Sequence, residues 1–420
     1  MKSLKERVYP YYFRFVYLGK LRRVRNRSIR SIKKKGKARI LFIVSNLAMW
    51  RTQKLFDLLS SDNHFEVFII LASFASFDSD QKSNNLKELR QYFSERGISF
   101  IEADNLSSPA DYVRKTIVPD IIFYPQQYLS LYKNGLDSEY YDTYLLCYVP
   151  YALIVFDQAW LYNQRFNNVA WRLYFPSYLH KINARNRAIN KGANVRLVGE
   201  AISDLYFERE HKDSWKKVIG RKKRIIWAPH FSIEEGGWLH RGSFLVLNQV
   251  MLELADKYKD QVQFAFKPHP RLLTELYNSP QWGKEKADAY YKRWADQPNT
   301  QLETGSYVDL FMTSDAMIHD CGSFTAEYHY TKNPVMFFTR DLAGVKKQLN
   351  ELGHAAIDAH YIGGSAEDIE SFIETVVLKG EDPLKPARKA IFDKYLLPPN
   401  GRSAAENIYH DLLRSLGFEN

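Results

Sequence analysis

Residues 316–338, AMIHDCGSFTAEYHYTKNPVMFF, decide the fold. An apolar run of strand length (AMIHD, 316–320) passes through Gly322 into a helical pattern near 323–331, and a second apolar run (PVMFF, 334–338) follows. Strand, helix and strand in so short a space form a parallel crossover unit. The same alternation recurs on both sides of it. RIIWAP (224–229), VQFAFKP (262–268) and TQLET (300–304) read as strands, with helices near 242–258 and 284–295. Upstream, ARILFIVSN (38–46), FEVFIIL (65–71), ISFIEA (98–103), DIIFYP (120–125), TYLLCYVP (143–150) and VRLVGE (195–200) read as six more strands, with an amphipathic helix over 49–61. Two such series predict an α/β protein with two Rossmann-like, doubly wound domains.

The polar stretch between Asp204 and Arg224 separates the series. The expected division is a basic, aromatic N-terminal extension (1–37), an N-terminal domain (38–208), a C-terminal domain (209–385) and a C-terminal helical segment (386–420). In the last, Ser403 and Glu406 stand at capping-box spacing before a helix reaching about Leu416.

The net charge of +11 belongs to one end of the chain. Residues 1–37 hold fourteen Lys or Arg and one acid, Glu6, leaving 45 basic against 47 acidic residues in the rest. A near-neutral body argues against nucleic acid as a partner. YPYYFRFVYL (9–18), followed by a polybasic run, suits the headgroup layer of an anionic membrane, and a solvated leader packing its aromatics on the body is the alternative. Two cysteines, Cys147 and Cys321, are too few for a disulfide framework and fit a reducing compartment. With no apolar run of about 18 residues and no h-region, the expectation is a cytoplasmic protein at the inner face of the plasma membrane.

Ligands of doubly wound sheets bind beyond the carboxyl ends of the strands. In the second series those positions carry Pro229-His230-Phe231-Ser232, Lys267-Pro268-His269-Pro270-Arg271 and His319-Asp320-Cys321-Gly322-Ser323. His269, between two prolines, has little backbone freedom. Flanked by Lys267 and Arg271, its imidazole suits a diphosphate, donating a hydrogen bond as charge grows on a leaving nucleotide; capping a backbone group is the alternative for it and for His230. Ser323 is expected at or near a helix N-cap, where free N–H groups and the helix dipole favour phosphate. Asp320, Gly322, Phe324 and Thr325 complete that segment. Glu327, one turn on, is placed to accept ribose hydroxyls; a serine that only caps the helix and a first-turn acid that favours its dipole are the alternative for the pair. No Walker loop, dinucleotide glycine fingerprint, zinc spacing or paired-aspartate motif accompanies these residues, so neither metal nor cofactor is expected.

The order Ala-Pro-His-Phe-Ser-Ile (228–233), Lys-Pro-His-Pro (267–270), Ser314-Asp315 through Asp320, Gly-Ser-Phe-Thr-Ala-Glu-Tyr (322–328) and Asn-Pro-Val-Met-Phe-Phe (333–338) resembles the CDP-glycerol glycerophosphotransferase family of teichoic acid and capsule polymerases. The resemblance spans roughly 220–340. It implies a GT-B fold, with CDP-glycerol as donor, a glycan or lipid-linked acceptor and CMP as product. His269 matches the histidine of the family's His-Pro motif, Gly322 and Ser323 match two serines, and Glu327 matches an aspartate. The family's acceptor-side Trp-His-Gly segment has no histidine counterpart in YVPYALIVFDQAWLYNQ (148–164). Asp157 is the substitute base, with a buried or capping aspartate as its alternative. Two other functions stay open on the residues alone: a GT-B glycosyltransferase using a nucleotide sugar, and a non-catalytic membrane-associated scaffold.

Overall fold

The computed structural model describes residues 11–128, 132, 135–207, 210–233 and 242–419. The first ten residues of the expected extension and the expected boundary at 208/209 lie outside the described residues. The chain divides into two compact units. Unit 1 comprises Met1–Ala152, Gln158–Asp204 and Leu397–Asn420, and unit 2 comprises Leu153–Asp157 and Leu205–Leu396.

Unit 1 is built on seven parallel strands, β1 (Ala38–Val44), β2 (Phe65–Leu71), β3 (Ile101–Glu102), β4 (Ile121–Tyr124), β5 (Leu145–Tyr148), β6 (Arg172–Phe175) and β7 (Val195–Leu197), in the order β3-β2-β1-β4-β5-β6-β7. Ile40 through Val44 are all buried, the continuous apolar run expected of a parallel strand covered on both faces. The six expected strands become seven because RLYF (172–175) also pairs. That run is four residues long and opens with an arginine. Arg172 sits there because Asp411 accepts its Nε–H at 2.9 Å and its guanidinium lies over Trp171.

The polybasic segment is a helix, Leu18–Lys35, with Leu21, Arg25 and Ile32 buried. Ile32 joins the core around β1, and Arg25 donates to the carbonyls of Asp142 at 2.7 Å and Tyr144 at 3.2 Å. Burial pulls Arg25 down to about 10. The segment expected to stand apart as an extension therefore contributes one face to unit 1. Tyr11, Tyr12, Phe15 and Val16 remain exposed beside it. The C-terminal helix, Ala404–Leu416, starts on the Ser403/Glu406 capping box and sends Ala405, Ile408, Leu412 and Leu416 into the same core.

Unit 2 holds β8 (Lys223–Ala228), β9 (Val262–Phe266), β10 (Thr300–Leu302), β11 (Ala316–His319), β12 (Val335–Phe338) and β13 (Tyr361–Gly363), all parallel, in the order β10-β9-β8-β11-β12-β13. The three-residue edge strand β13 was not foreseen; its exposed Ile362 and half-buried Tyr361 give no apolar run to read. Trp227, Phe266, Phe244 and Trp294 stack as the centre of this core. Strand order reverses between β8 and β11, which opens a crevice at their carboxyl ends. Among the described residues no helix is long and apolar enough to cross a membrane.

Candidate functional site

The loops that follow β9, β8 and β11 emerge from three adjacent strands of unit 2, and buried Asp320 ties two of them together. Its Oδ1 accepts the His230 N–H at 2.6 Å and its Oδ2 accepts the Ser243 N–H. Burial raises the Asp320 pKa, and these backbone donors oppose that shift. Asp320 thus shapes the loops with both of its oxygens.

The two loop histidines are held as neutral rings. His269 Nδ1 accepts the Arg271 N–H at 3.1 Å, which places its proton on Nε2, and His230 Nδ1 meets the Ser232 hydroxyl at 2.9 Å and the Ser232 N–H at 3.3 Å. Burial pulls His269 down to about 4, with Arg271 and Lys267 adding to it; burial pulls His230 down to about 3, with His269 and Arg271 adding. The rings lie 5.2 Å apart, and Phe231 packs on both. Neutral imidazoles among cations are suited to donating hydrogen bonds to an anion.

Lys267 is buried, with its Nζ donating to the Gly305 carbonyl at 3.1 Å and lying 5.6 Å from the Tyr307 ring. Arg271 is exposed, pairs with Glu275 at 2.6 Å and stacks over Phe231.

The motif helix runs Gly322–Glu327, with Cys321 as N-cap. Ser323 is therefore the second helical residue and is exposed. The Cys321 N–H is taken by His319 Nδ1 at 3.2 Å, and the Cys321 thiol by the Ala228 carbonyl. Thr325 Oγ1 donates to the Cys321 carbonyl at 3.1 Å, and the Phe324 ring packs against Tyr307 and Phe311. Glu327 is buried with both oxygens engaged. Tyr206 donates to Oε1 at 3.0 Å and Tyr307 to Oε2 at 3.2 Å.

His230, Lys267, His269, Arg271, Asp320, Gly322, Ser323, Phe324, Thr325 and Glu327 thus all lie on these three loops and the motif helix. Asp157 is exposed, and the five-residue segment that holds it is grouped with unit 2 rather than with the first series of strands. Its N–H donates to the Gln348 carbonyl at 2.8 Å. Tyr206 and Tyr307 escape a sequence reading, the first because it lies at the edge of a polar linker. Position was the available signal for Tyr307, which follows the carboxyl end of β10 as the other site residues follow their strands.

A family model for CDP-glycerol:poly(glycerophosphate) glycerophosphotransferase matches residues 175–412, more than half of the chain. No curated protein matches it in sequence. Among solved structures, a variant of the wall teichoic acid polymerase TagF soaked with CDPG aligns with a TM-score of 0.59 at 11% identity, covering 100% of this chain and 99% of that one. A putative UDP-N-acetylglucosamine 2-epimerase from Listeria monocytogenes aligns with a TM-score of 0.60 at 16% identity, covering 91% and 98%. The Neisseria meningitidis UDP-GlcNAc 2-epimerase bound to UDP-GlcNAc gives 0.57 at 15% identity, covering 90% and 100%. Each of the two units carries a Rossmann-like parallel sheet, and the fold is the GT-B-like one of TagF and the epimerases.

Proposed function

The chain belongs to the CDP-glycerol:poly(glycerophosphate) glycerophosphotransferase family, and from that premise we propose that it moves glycerol phosphate from CDP-glycerol to a hydroxyl of a cell-surface glycan or lipid-linked acceptor. One observation carries this reading: two neutral histidines and a buried lysine stand on the loops leaving the adjacent strand ends of β8 and β9, beside the motif helix that follows β11. The acceptor oxygen forms a bond to the β-phosphorus as the bond from that phosphorus to the bridging oxygen breaks, and the electron pair departs with CMP. His269 Nε2–H and Lys267 stabilise charge growing on the departing phosphate, while Arg271 and the first turn of the motif helix, with Ser323, hold the remaining phosphate oxygens. Gly322, Phe324 and Thr325 shape that turn, and Asp320 positions the His230 loop. Glu327, oriented by Tyr206 and Tyr307, accepts from the ribose hydroxyls with its remaining lone pairs. Asp157 takes the acceptor proton.

The exposed aromatics at Tyr11, Tyr12 and Phe15, beside the cationic helix Leu18–Lys35, support attachment to an anionic membrane surface at the cytoplasmic face, where the acceptor would be presented. Incubation of the full chain with CDP-glycerol and teichoic-acid-type acceptors tests the reading by release of CMP. Absence of CMP with every acceptor, or release of a nucleoside diphosphate from a nucleotide sugar instead, would overturn it.

A further inference from the structure

Residues 153–157 form a strap stitched to residues 348–353 of unit 2. The Asn350 N–H donates to the Val155 carbonyl at 2.9 Å, the Asp157 N–H to the Gln348 carbonyl at 2.8 Å, and the Asn350 side chain to the Ile154 carbonyl at 2.7 Å. Phe156 and Leu349 pair as an antiparallel bridge. Two glycines make way for the strap. A Cβ on Gly353 would run into the Val155 carbonyl, and a Cβ on Gly322 into the edge of the Phe156 ring. Gly322 is also where the family resemblance places the first of two serines. The Phe156 ring therefore stands where that side chain would be, and hydrocarbon replaces a hydroxyl.

The ring closes one side of a crevice whose other walls include Gly322, Thr325, Phe337, Thr339 and Leu349. About 30 Å³ of free space remains there, room for one or two water-sized groups. The motif helix separates this crevice from the Glu327 side. Phe324 and Glu327 meet Tyr307, whereas Gly322 and Thr325 line the crevice. On the donor reading given above, the nucleoside lies on the Glu327 side, so the group beyond the second phosphate extends toward Phe156.

We propose that Phe156, seated on Gly322, is the residue that sets donor specificity, limiting the transferred group to a short polyol of about three carbons. A five-carbon polyol brings two further hydroxymethylene units. The residual space does not accommodate them, and the face of a phenyl ring carries no N–H or O–H to donate to their hydroxyls.

The test compares CMP release from CDP-glycerol and from its five-carbon analogue CDP-ribitol in the full chain and its variants. The wild-type chain should favour the shorter donor by about tenfold or more in kcat/KM, the scale on which apolar walls discriminate added groups. Phe156→Ala should bring the two donors within about threefold by raising the longer one. Gly322→Ser should lose about tenfold or more on both donors because its side chain meets the ring, and the double variant Phe156→Ala/Gly322→Ser should recover CDP-glycerol turnover over Gly322→Ser alone. Phe156→Leu, which keeps an apolar residue on the bridge, should shift the ratio in the same direction as Phe156→Ala by a smaller factor. CMP affinity, measured by calorimetry, should stay constant in the two Phe156 single variants and reports that the nucleotide half is intact there. An unchanged donor ratio in both Phe156 variants, or a double variant no better than Gly322→Ser, overturns the proposal. A wild-type chain that binds CMP yet turns over neither donor overturns the glycerophosphotransferase reading itself.

Discussion

Replacing His269 by alanine isolates the donor at the centre of the proposed cradle. The loop should survive the change, because its backbone is held without the imidazole. The His269 N–H donates to the Pro229 carbonyl at 3.1 Å, and the His269 carbonyl accepts from the Leu272 N–H at 2.8 Å. What the fold loses is packing on Phe231 and one acceptor for the Arg271 N–H, which water can replace at a cost of about 1 kcal/mol. Turnover should fall much further. A preorganised donor aimed at a developing oxyanion contributes about 2.7–4 kcal/mol, or about 10²–10³ in kcat. CMP-release kinetics and a thermal melt read the two effects separately. Two further variants sharpen the assignment. In His269→Gln the amide nitrogen can stand near the Nε2 position and should retain part of the rate. In His269→Asn the side chain can serve only the Arg271 N–H and should behave like alanine. Because burial holds His269 near 4, its ionisation should leave no inflection in the rate between about pH 6 and 8. Wild-type turnover in His269→Ala, or equal rates for the glutamine and asparagine variants, would refute its role as a donor through Nε2.

Other outcomes follow from the same geometry. Glu327→Gln should fold normally but raise KM for the donor by about tenfold, whereas Glu327→Leu leaves the buried Tyr206 hydroxyl unpaired and should cost about 1–3 kcal/mol in urea unfolding; equal stability of the two variants would contradict the pairing. His180 is fully enclosed and held near 4 by burial, against about 6.5 in the unfolded chain. Its neutral form therefore stabilises fully above about pH 6.5, and about 3 kcal/mol of that is lost as pH falls toward 4. His180→Gln should flatten the stability curve across that window, and an unchanged slope would count against the assignment. Membrane attachment is best tested by replacing Tyr11, Tyr12 and Phe15 with serine. Deletion through residue 35 would remove Ile32 from the core and confound the result. Sedimentation of the triple variant with anionic vesicles should fall at least about tenfold relative to the wild-type chain, since each aromatic contributes apolar area at the interface.

Much of this architecture was legible in the sequence because parallel strands covered on both faces are apolar along most of their length. Val262–Phe266 and Ala38–Val44 announce themselves for that reason. Arg172–Phe175 was missed because its arginine is tolerated only through Asp411, a residue 239 positions away that no local pattern reveals. The strand-end rule brought His230, His269 and Asp320 to one place, since the fold itself dictates where loops converge. Spacing alone could not tell that Asp320 would spend both oxygens on backbone donors, or that Ser323 would sit one residue inside its helix. Phe156 was invisible for a similar reason. Its ring meets Gly322 across 166 positions of chain, and the pairing shows only as a missing side chain.

The C-terminal helix has a consequence for synthesis. Asp204 receives the N–H groups of Ala404 and Ala405 at 2.8 and 2.9 Å, and that helix lies in the same core as the first strand of the chain. A nascent chain emerging from the ribosome would have every residue of unit 2 by Leu396, while unit 1 still lacks a wall of its core. The usual order, in which the amino-terminal domain closes first, is thereby inverted. A stop codon ahead of Ala404 would leave the strands around Ala38–Val44 without that helix, so quality control would act on early-made strands for a defect about 360 residues later.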